Sequence, residues 1–333
     1  MKHFTEHKVG QQKETPSEKH FRANAKLMIS GEYLVLAGAK ALAMPVGYHQ
    51  SLIVKPAGNG SPPLRWRSFI QGSPWLDISF EGAHLEVKGA PSSKTENAVH
   101  FGYLRKVLMA ARSLNPVFLA GNECWDAQSD ISFNISWGLG SSSSLISNIA
   151  DWAGVNPYAL LFSISSGSGY DVACARSDTP ILYTFKGRKQ DPAVEAVHFN
   201  PPFSDQLYFV YRGKKQSSEQ SLRDFRAEKV KPEDVALISG LSGNMASASN
   251  LKDFQEMIRE HENLISAYIQ QTPVKKMLFD EFPGEVKSLG AWGGDFMLAA
   301  SAVAPDEIIA YFSQKGFGTV IPFRNMMIHK KNY

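Results

Sequence analysis

The chain has 333 residues, 43% hydrophobic and 20% charged, which is enough for one large domain or two of ordinary size with filled cores. Its 35 Lys and Arg against 32 Asp and Glu leave a net charge of +3, too small to point to nucleic acid or an anionic membrane as partner. No run approaches the roughly 18 apolar residues of a membrane span, and Cys124 and Cys174 lie too far apart for a zinc pair or a disulfide framework. These features favour a cytoplasmic protein with neither nucleic-acid nor membrane partners.

In chain order, residues 1–20 are polar and charged, lack the apolar core of a signal peptide, and read as a tail. Strands follow: FRANAKLMIS, GEYLVLAG and KALAMPVGYHQSLIVKP, broken by glycines. Residues 56–75 are rich in Gly, Pro and Ser and read as a loop, with DISF and AHLEVKG as a hairpin after it. Apolar residues at 98, 99, 101, 104, 107 and 108 predict a helix from Thr95, a candidate cap, to Ser113. DISFNIS (130–136) alternates as a half-buried strand and runs into WGLGSSSSLI. Helices are expected over 141–153 and 157–164, then SSGSGYDVACA and the strand TPILYTF. Beyond residue 188 come the strand LYFVYRG and helices over 217–226, 231–241, 251–270 and 274–279. EVKSLGAWGGDFMLAASA then reads as strand, glycine loop and strand, followed by a helix and the strand GTVIPF. The mixture without strict alternation predicts an α+β fold.

The stretch Gly138–Ser143 places two glycines and a run of serines where a strand gives way to a helix. Free N–H groups in a first helical turn and the helix dipole suit an anion, and glycine lets the backbone come close to it. A serine cap after a flexible turn accounts for the same residues. The pattern is neither the Walker loop nor the dinucleotide fingerprint.

GLGSSSS resembles the phosphate-binding motif of the GHMP kinases, the family of galactokinase, homoserine kinase, mevalonate kinase and phosphomevalonate kinase. It lacks the leading proline, and Ser143 stands where alanine is usual. AKLMISGEYLVLAGAKALAMPV (25–46) resembles the family's first motif, KSLGAWGGDFMLA (287–299) its third, and SGSGYDVACA (166–175) the segment with its catalytic aspartate. The resemblance covers residues 25–300 and implies a two-domain GHMP kinase fold. An N-terminal α/β sandwich domain (21–188) would bind ATP, and a ferredoxin-like domain (189–333) would close the active site between them.

What the resemblance implies for single residues is as follows. Asp171 receives or orients the acceptor hydroxyl proton; in isolation it reads as a turn-organising aspartate. Lys26 sits beside it and neutralises charge on the transferring phosphoryl group. Gly138, Leu139, Gly140, Ser141, Ser142 and Ser143 cradle the ATP phosphates, with Ser142 as Mg²⁺ ligand. The family's metal glutamate, eleven residues before the aspartate, is Leu160 here. Glu32 and Tyr33, the loop Gly290, Ala291, Trp292, Gly293 and Gly294, and the basic segment with Lys215, Ser217 and Ser218 fall on the acceptor side. Trp292 replaces a usual glycine and reads equally as packing under the loop. The implied reaction is ATP- and Mg²⁺-dependent phosphorylation of a small molecule, mevalonate or phosphomevalonate, by a monomer or homodimer. The alternative is a homologue that binds nucleotide or metabolite as a sensor without transfer.

Overall fold

The structure is a computed structural model and describes residues 17–58, 60–82, 84–87, 96–213, 225–292 and 294–328. The first 16 residues of the expected tail, the candidate cap Thr95, Gly293, and the segment with Lys215, Ser217 and Ser218 lie outside them.

Two long strands organise the first half. β1 (Lys19–Ser30) and β2 (Ala41–Ala57) pair antiparallel over most of their length. β1 alternates outward and inward through Leu27 and is then buried on both faces, as its apolar run LMIS requires. β3 (Leu64–Ile70), β4 (Ser73–Glu81), β5 (Glu86–Val87), β6 (Cys124–Ile131), β7 (Ile181–Thr184) and β8 (Ala193–Ala196) complete an eight-stranded sheet. Its order is β5-β4-β3-β6-β2-β7-β8, with β1 on β2 and a parallel β3–β6 pair. The helices α1 (Glu96–Leu114), α2 (Ser141–Ala153) and α3 (Pro157–Ile164) share a core with it. α1 buries Leu104, Val107, Leu108 and Ala111, a helical stripe, against Ile146, Ile149 and Ala150 of α2 and Leu64 and Trp66 of β3. A short helix, α4 (Tyr170–Ala175), precedes β7.

The second sheet joins β9 (Leu207–Tyr211), β10 (Glu285–Ser288), β11 (Phe296–Ala300) and β12 (Val320–Pro322), all antiparallel, in the order β10-β11-β9-β12. Counted in sequence that order is 2-3-1-4, the ferredoxin-like arrangement. The helices α5 (Pro232–Ala246), α6 (Leu251–Ile269) and α7 (Val274–Leu278) connect β9 to β10, and α8 (Pro305–Gln314) connects β11 to β12. One core runs between the sheets: Leu27, Ile29 and Met44 meet Phe209, Phe296, Leu298 and, from α6, Phe254 and Ile258. Among the described residues no helix is long and apolar enough to cross a membrane.

Three local expectations are corrected. Residues 56–75 are not a loop: LRWRSFI alternates Leu64, Trp66 and Ser68 inward as β3. The stretch GEYLVLAG is not a strand. Gly31 at φ 93° packs against Ala41 and breaks extension, and Leu34–Ala37 forms a 3₁₀ turn closed by Gly38. The strand expected over 130–136 stops at Ile131, because Asn134 turns the chain by accepting the Ser136 N–H at 2.9 Å.

Phe254 is fully buried and its ring lies 5.3 Å from that of Phe203 and 6.2 Å from that of Phe199. Phe254→Ala is expected to lower unfolding free energy by about 3–5 kcal/mol, read from urea midpoints. A loss below about 1 kcal/mol contradicts a core shared by both sheets.

Candidate active site

The loop before α2 is set by two glycines in left-handed conformations, Gly138 at φ 67° and Gly140 at φ 91°. A Cβ on Gly138 would collide with the Asp295 carboxylate; one on Gly140 would lie 2.9 Å from Cε of Lys26 and 2.8 Å from the Ser143 hydroxyl. Glycine is required at both because side chains of the site occupy that space. The first backbone bond of α2 is Ser144 N–H to the Gly140 carbonyl, so the amides of Ser141–Ser143 precede the helical ladder. The serines divide their work. Ser143 bonds back to the Gly140 carbonyl, and Ser144 bonds Gln50 of β2 at 2.6 Å and fastens the helix to the sheet. Ser141 is half-buried and Ser142 exposed.

Lys26 reaches this loop from β1. Its N–H donates to the Leu139 carbonyl at 3.0 Å, and its ammonium donates to the Gly138 carbonyl at 3.2 Å and the Tyr170 hydroxyl at 3.1 Å. Burial works against the ammonium, but Tyr170, Asp171 and Asp295 outweigh it and hold its pKa above the ordinary lysine range. Asp171 was expected in a turn before a strand; it lies instead in the first turn of α4, after Gly169 at φ 89°. An aspartate is favoured there by the helix N-terminus. Its Oδ1 accepts the Val172 N–H at 3.1 Å. Burial raises the pKa of Asp171, and the Lys26 charge opposes that rise.

The turn Gly31–Tyr33 is tied to the second sheet. Glu32 Oε1 receives the Lys287 ammonium at 2.6 Å, and the Tyr33 hydroxyl accepts the Trp292 N–H at 3.1 Å. Tyr33 stands at φ 61°, an unusual conformation for a bulky residue, and Asp295 at φ 56°. Lys287, fully buried, also lies 3.6 Å from Glu262. Nε2 of His261 is 2.9 Å from the Gly31 N and 3.1 Å from Glu32 Oε2, and one ring nitrogen serves one of these at a time. Burial and Lys287 lower the His261 pKa, so the ring is neutral. Burial pushes Glu262 up to about 8 against the pull of Lys287. In Glu32 burial is outweighed by Lys287 and His261, and the carboxyl stays below its usual range. At neutral pH the cluster therefore holds one cation and one anion, which is how a fully buried lysine is tolerated.

Lys26 and Asp171 border one cleft with about 150 Å³ of interior space. Lys26, Asp171, Tyr170 and Asp295 line it with Glu32, Tyr33, Gly290 and Ala291, and Ser165–Ser168 form another wall. The Tyr183 hydroxyl holds that wall by donating to the Ser168 carbonyl. Ser141 and Ser142 open on a second cavity, lined by Trp66, Trp75, His100 and Tyr103, so the start of α2 stands between an aromatic pocket and a charged one. Trp292 is buried among Leu34, Ala39, Ile238 and Leu241 and packs beneath the loop. Gly294 is buried beside it. Sequence reasoning missed Tyr170, Lys287 and His261. It also missed the aromatic pocket, whose Trp66 and Trp75 fell in the stretch read as a loop.

Among the described residues no group of three or more His, Cys, Asp and Glu is placed to hold a metal. Leu160, at the family's glutamate position, is fully buried in the core, and Ser142 faces the aromatic cavity while Asp171 faces the other. These side chains do not make a site for a resident Mg²⁺; a divalent ion would depend on water and on the nucleotide's own phosphates.

Glu262 gives a stability signature. From its unfolded value of 4.5 to about 8 the folded protein keeps a proton that the unfolded chain releases, so stability falls as pH rises through that window. Glu262→Gln is expected to flatten this part of the profile of urea midpoints from pH 5 to 8. An unchanged slope contradicts the neutral, buried acid.

Solved structures share this architecture at low sequence identity. The phosphomevalonate kinase of Streptococcus pneumoniae, in complex with phosphomevalonate and AMPPNP, superposes with a TM-score of 0.65 at 14% identity, over 90% of this chain and 97% of that one. The L. major mevalonate kinase in complex with R-mevalonate gives 0.63 at 15% identity, over 92% and 96%. The Lactococcus lactis galactokinase complexed with galactose gives 0.58 at 12%, over 92% and 90%. No family model matches the sequence, and comparison with curated proteins gives no match. By its topology and by these likenesses, the chain has the GHMP kinase fold.

Proposed function

We propose that the chain is an ATP-dependent kinase of a small metabolite, with mevalonate or phosphomevalonate as the acceptor of the enzymes its motifs resemble most. The observation that carries this reading is that Lys26, hydrogen-bonded to the Gly138 carbonyl of the loop before α2, lines one cleft together with Asp171 and Asp295. Phosphoryl transfer passes through a loose transition state, so positioning and charge neutralisation do most of the work. The aromatic cavity suits a nucleotide base, and the amides of Ser141–Ser143 suit the phosphates that follow it. With an alcohol acceptor such as mevalonate, Asp171 takes or orients the proton of the attacking hydroxyl, and with either acceptor Lys26 balances charge on the group in flight. Residues 21–188 would hold the nucleotide and 189–333 would supply Gly290–Asp295 on the acceptor side.

Leu160 in place of the family's acidic residue favours a second reading, a nucleotide- or metabolite-binding sensor that does not transfer phosphate. Lys26 and Asp171, lining one cleft and in electrostatic contact, support the enzyme.

Incubation with ATP, Mg²⁺ and a panel of mevalonate, phosphomevalonate, homoserine and sugars separates the two. ADP release with one acceptor is expected. ATP binding without release under every condition supports the sensor. Asp171→Asn is expected to keep nucleotide affinity within a few-fold and to lose about 100-fold or more in turnover. Unchanged turnover removes Asp171 from the mechanism.

A further inference from the structure

Lys26 is held more tightly than a charge-neutralising lysine requires. Its stem passes against Gly140, where a Cβ would lie 2.9 Å from Cε and 3.0 Å from Cγ. Its ammonium spends one N–H on the Gly138 carbonyl and a second on the Tyr170 hydroxyl at 3.1 Å, which leaves the third for an incoming group. The Tyr170 ring centroid lies 5.3 Å from the same nitrogen. Tyr170 opens α4, so its backbone position and that of Asp171 are fixed together by the left-handed cap Gly169. Both side chains line the cleft.

We infer that Tyr170 is a positioning residue: its hydroxyl accepts a hydrogen bond from Lys26 and fixes the ammonium in the cleft that Asp171 also lines, and its own O–H proton remains to be donated to a ligand oxygen there. The assignment rests on the kinase reading for its catalytic consequence and on geometry alone for its effect on Lys26. Without the hydroxyl, the ammonium keeps the Gly138 carbonyl and the distant carboxylates of Asp171 and Asp295 but loses an acceptor in a buried setting. It then gives up its proton more readily. The groups that face it are Tyr170 and Asp171 from α4 and Asp295 from the loop after β10, with Cys174 further along α4.

The test labels lysines with trace acetic anhydride from pH 8 to 11 and reads each site by peptide mass spectrometry, with exposed Lys19 as internal reference. In Tyr170→Phe, compared at matched thermal stability, Lys26 is expected to label at least about tenfold faster relative to Lys19, with the onset at lower pH. Turnover is expected to fall about tenfold or more, with the KM for ATP nearly unchanged. Tyr170→Leu, which removes the hydroxyl and brings no acceptor, answers the same question if the Phe variant does not fold. Labelling of Lys26 that matches wild type in both variants overturns the assignment. Faster labelling in a protein that releases no ADP with any acceptor leaves Tyr170 assigned and overturns the kinase reading instead.

Discussion

The site depends on the interlock between Lys26 and the loop Gly138–Gly140. Backbone N–H and ammonium of one lysine both donate into that loop, to Leu139 and to Gly138, while the lysine's methylene stem fills the space a Cβ at Gly140 would need. Strand β1 and the start of helix α2 are therefore held in one register by a single residue. Gly138 repeats the device from the other side, where the Asp295 carboxylate takes the place of a side chain. The Lys26 stem and the Asp295 carboxylate come close to the start of α2 because the two glycines place no Cβ in their way.

A second constraint fixes the opposite wall. Burying Lys287 is costly, and the structure meets the cost with an ionised Glu32, a neutral His261 and a protonated Glu262. The pair spans 255 residues of sequence and joins the turn after β1 to the strand before the loop Gly290–Asp295. The Tyr33–Trp292 bond repeats that connection. Two strained backbones, Tyr33 and Asp295, sit where these connections meet the cleft. Strain of this kind persists only where the surroundings over-determine it.

The sequence made the architecture and the centre of the site legible for physical reasons. Long helices with periodic apolar residues, such as α1, α2 and α6, declare themselves. The motif resemblance groups Lys26, Gly138–Ser143 and Asp171; of these, Lys26 and Asp171 share a cleft, Gly138 bonds Lys26, and Ser141 and Ser142 line the aromatic cavity. Composition misled where it outvoted periodicity: the turn-forming residues around β3 hid the alternation Leu64, Trp66, Ser68, and with it the aromatic cavity. The turn at Gly31 was lost inside an apolar stretch that reads as a strand. Tyr170 and Lys287 carry no signal of their own, since a tyrosine before an aspartate and a lysine in a strand have many ordinary uses. Their roles come from partners 144 and 255 residues away.

The most direct measurement is a crystal structure with a non-hydrolysable ATP analogue. The account predicts the base among Trp66, Trp75 and Tyr103, the phosphates within hydrogen-bond distance of the Ser141–Ser143 amides, and the terminal phosphate directed at Lys26 and Asp171. Phosphates bound on another face, with the cleft beside Lys26 left out of reach, would contradict it.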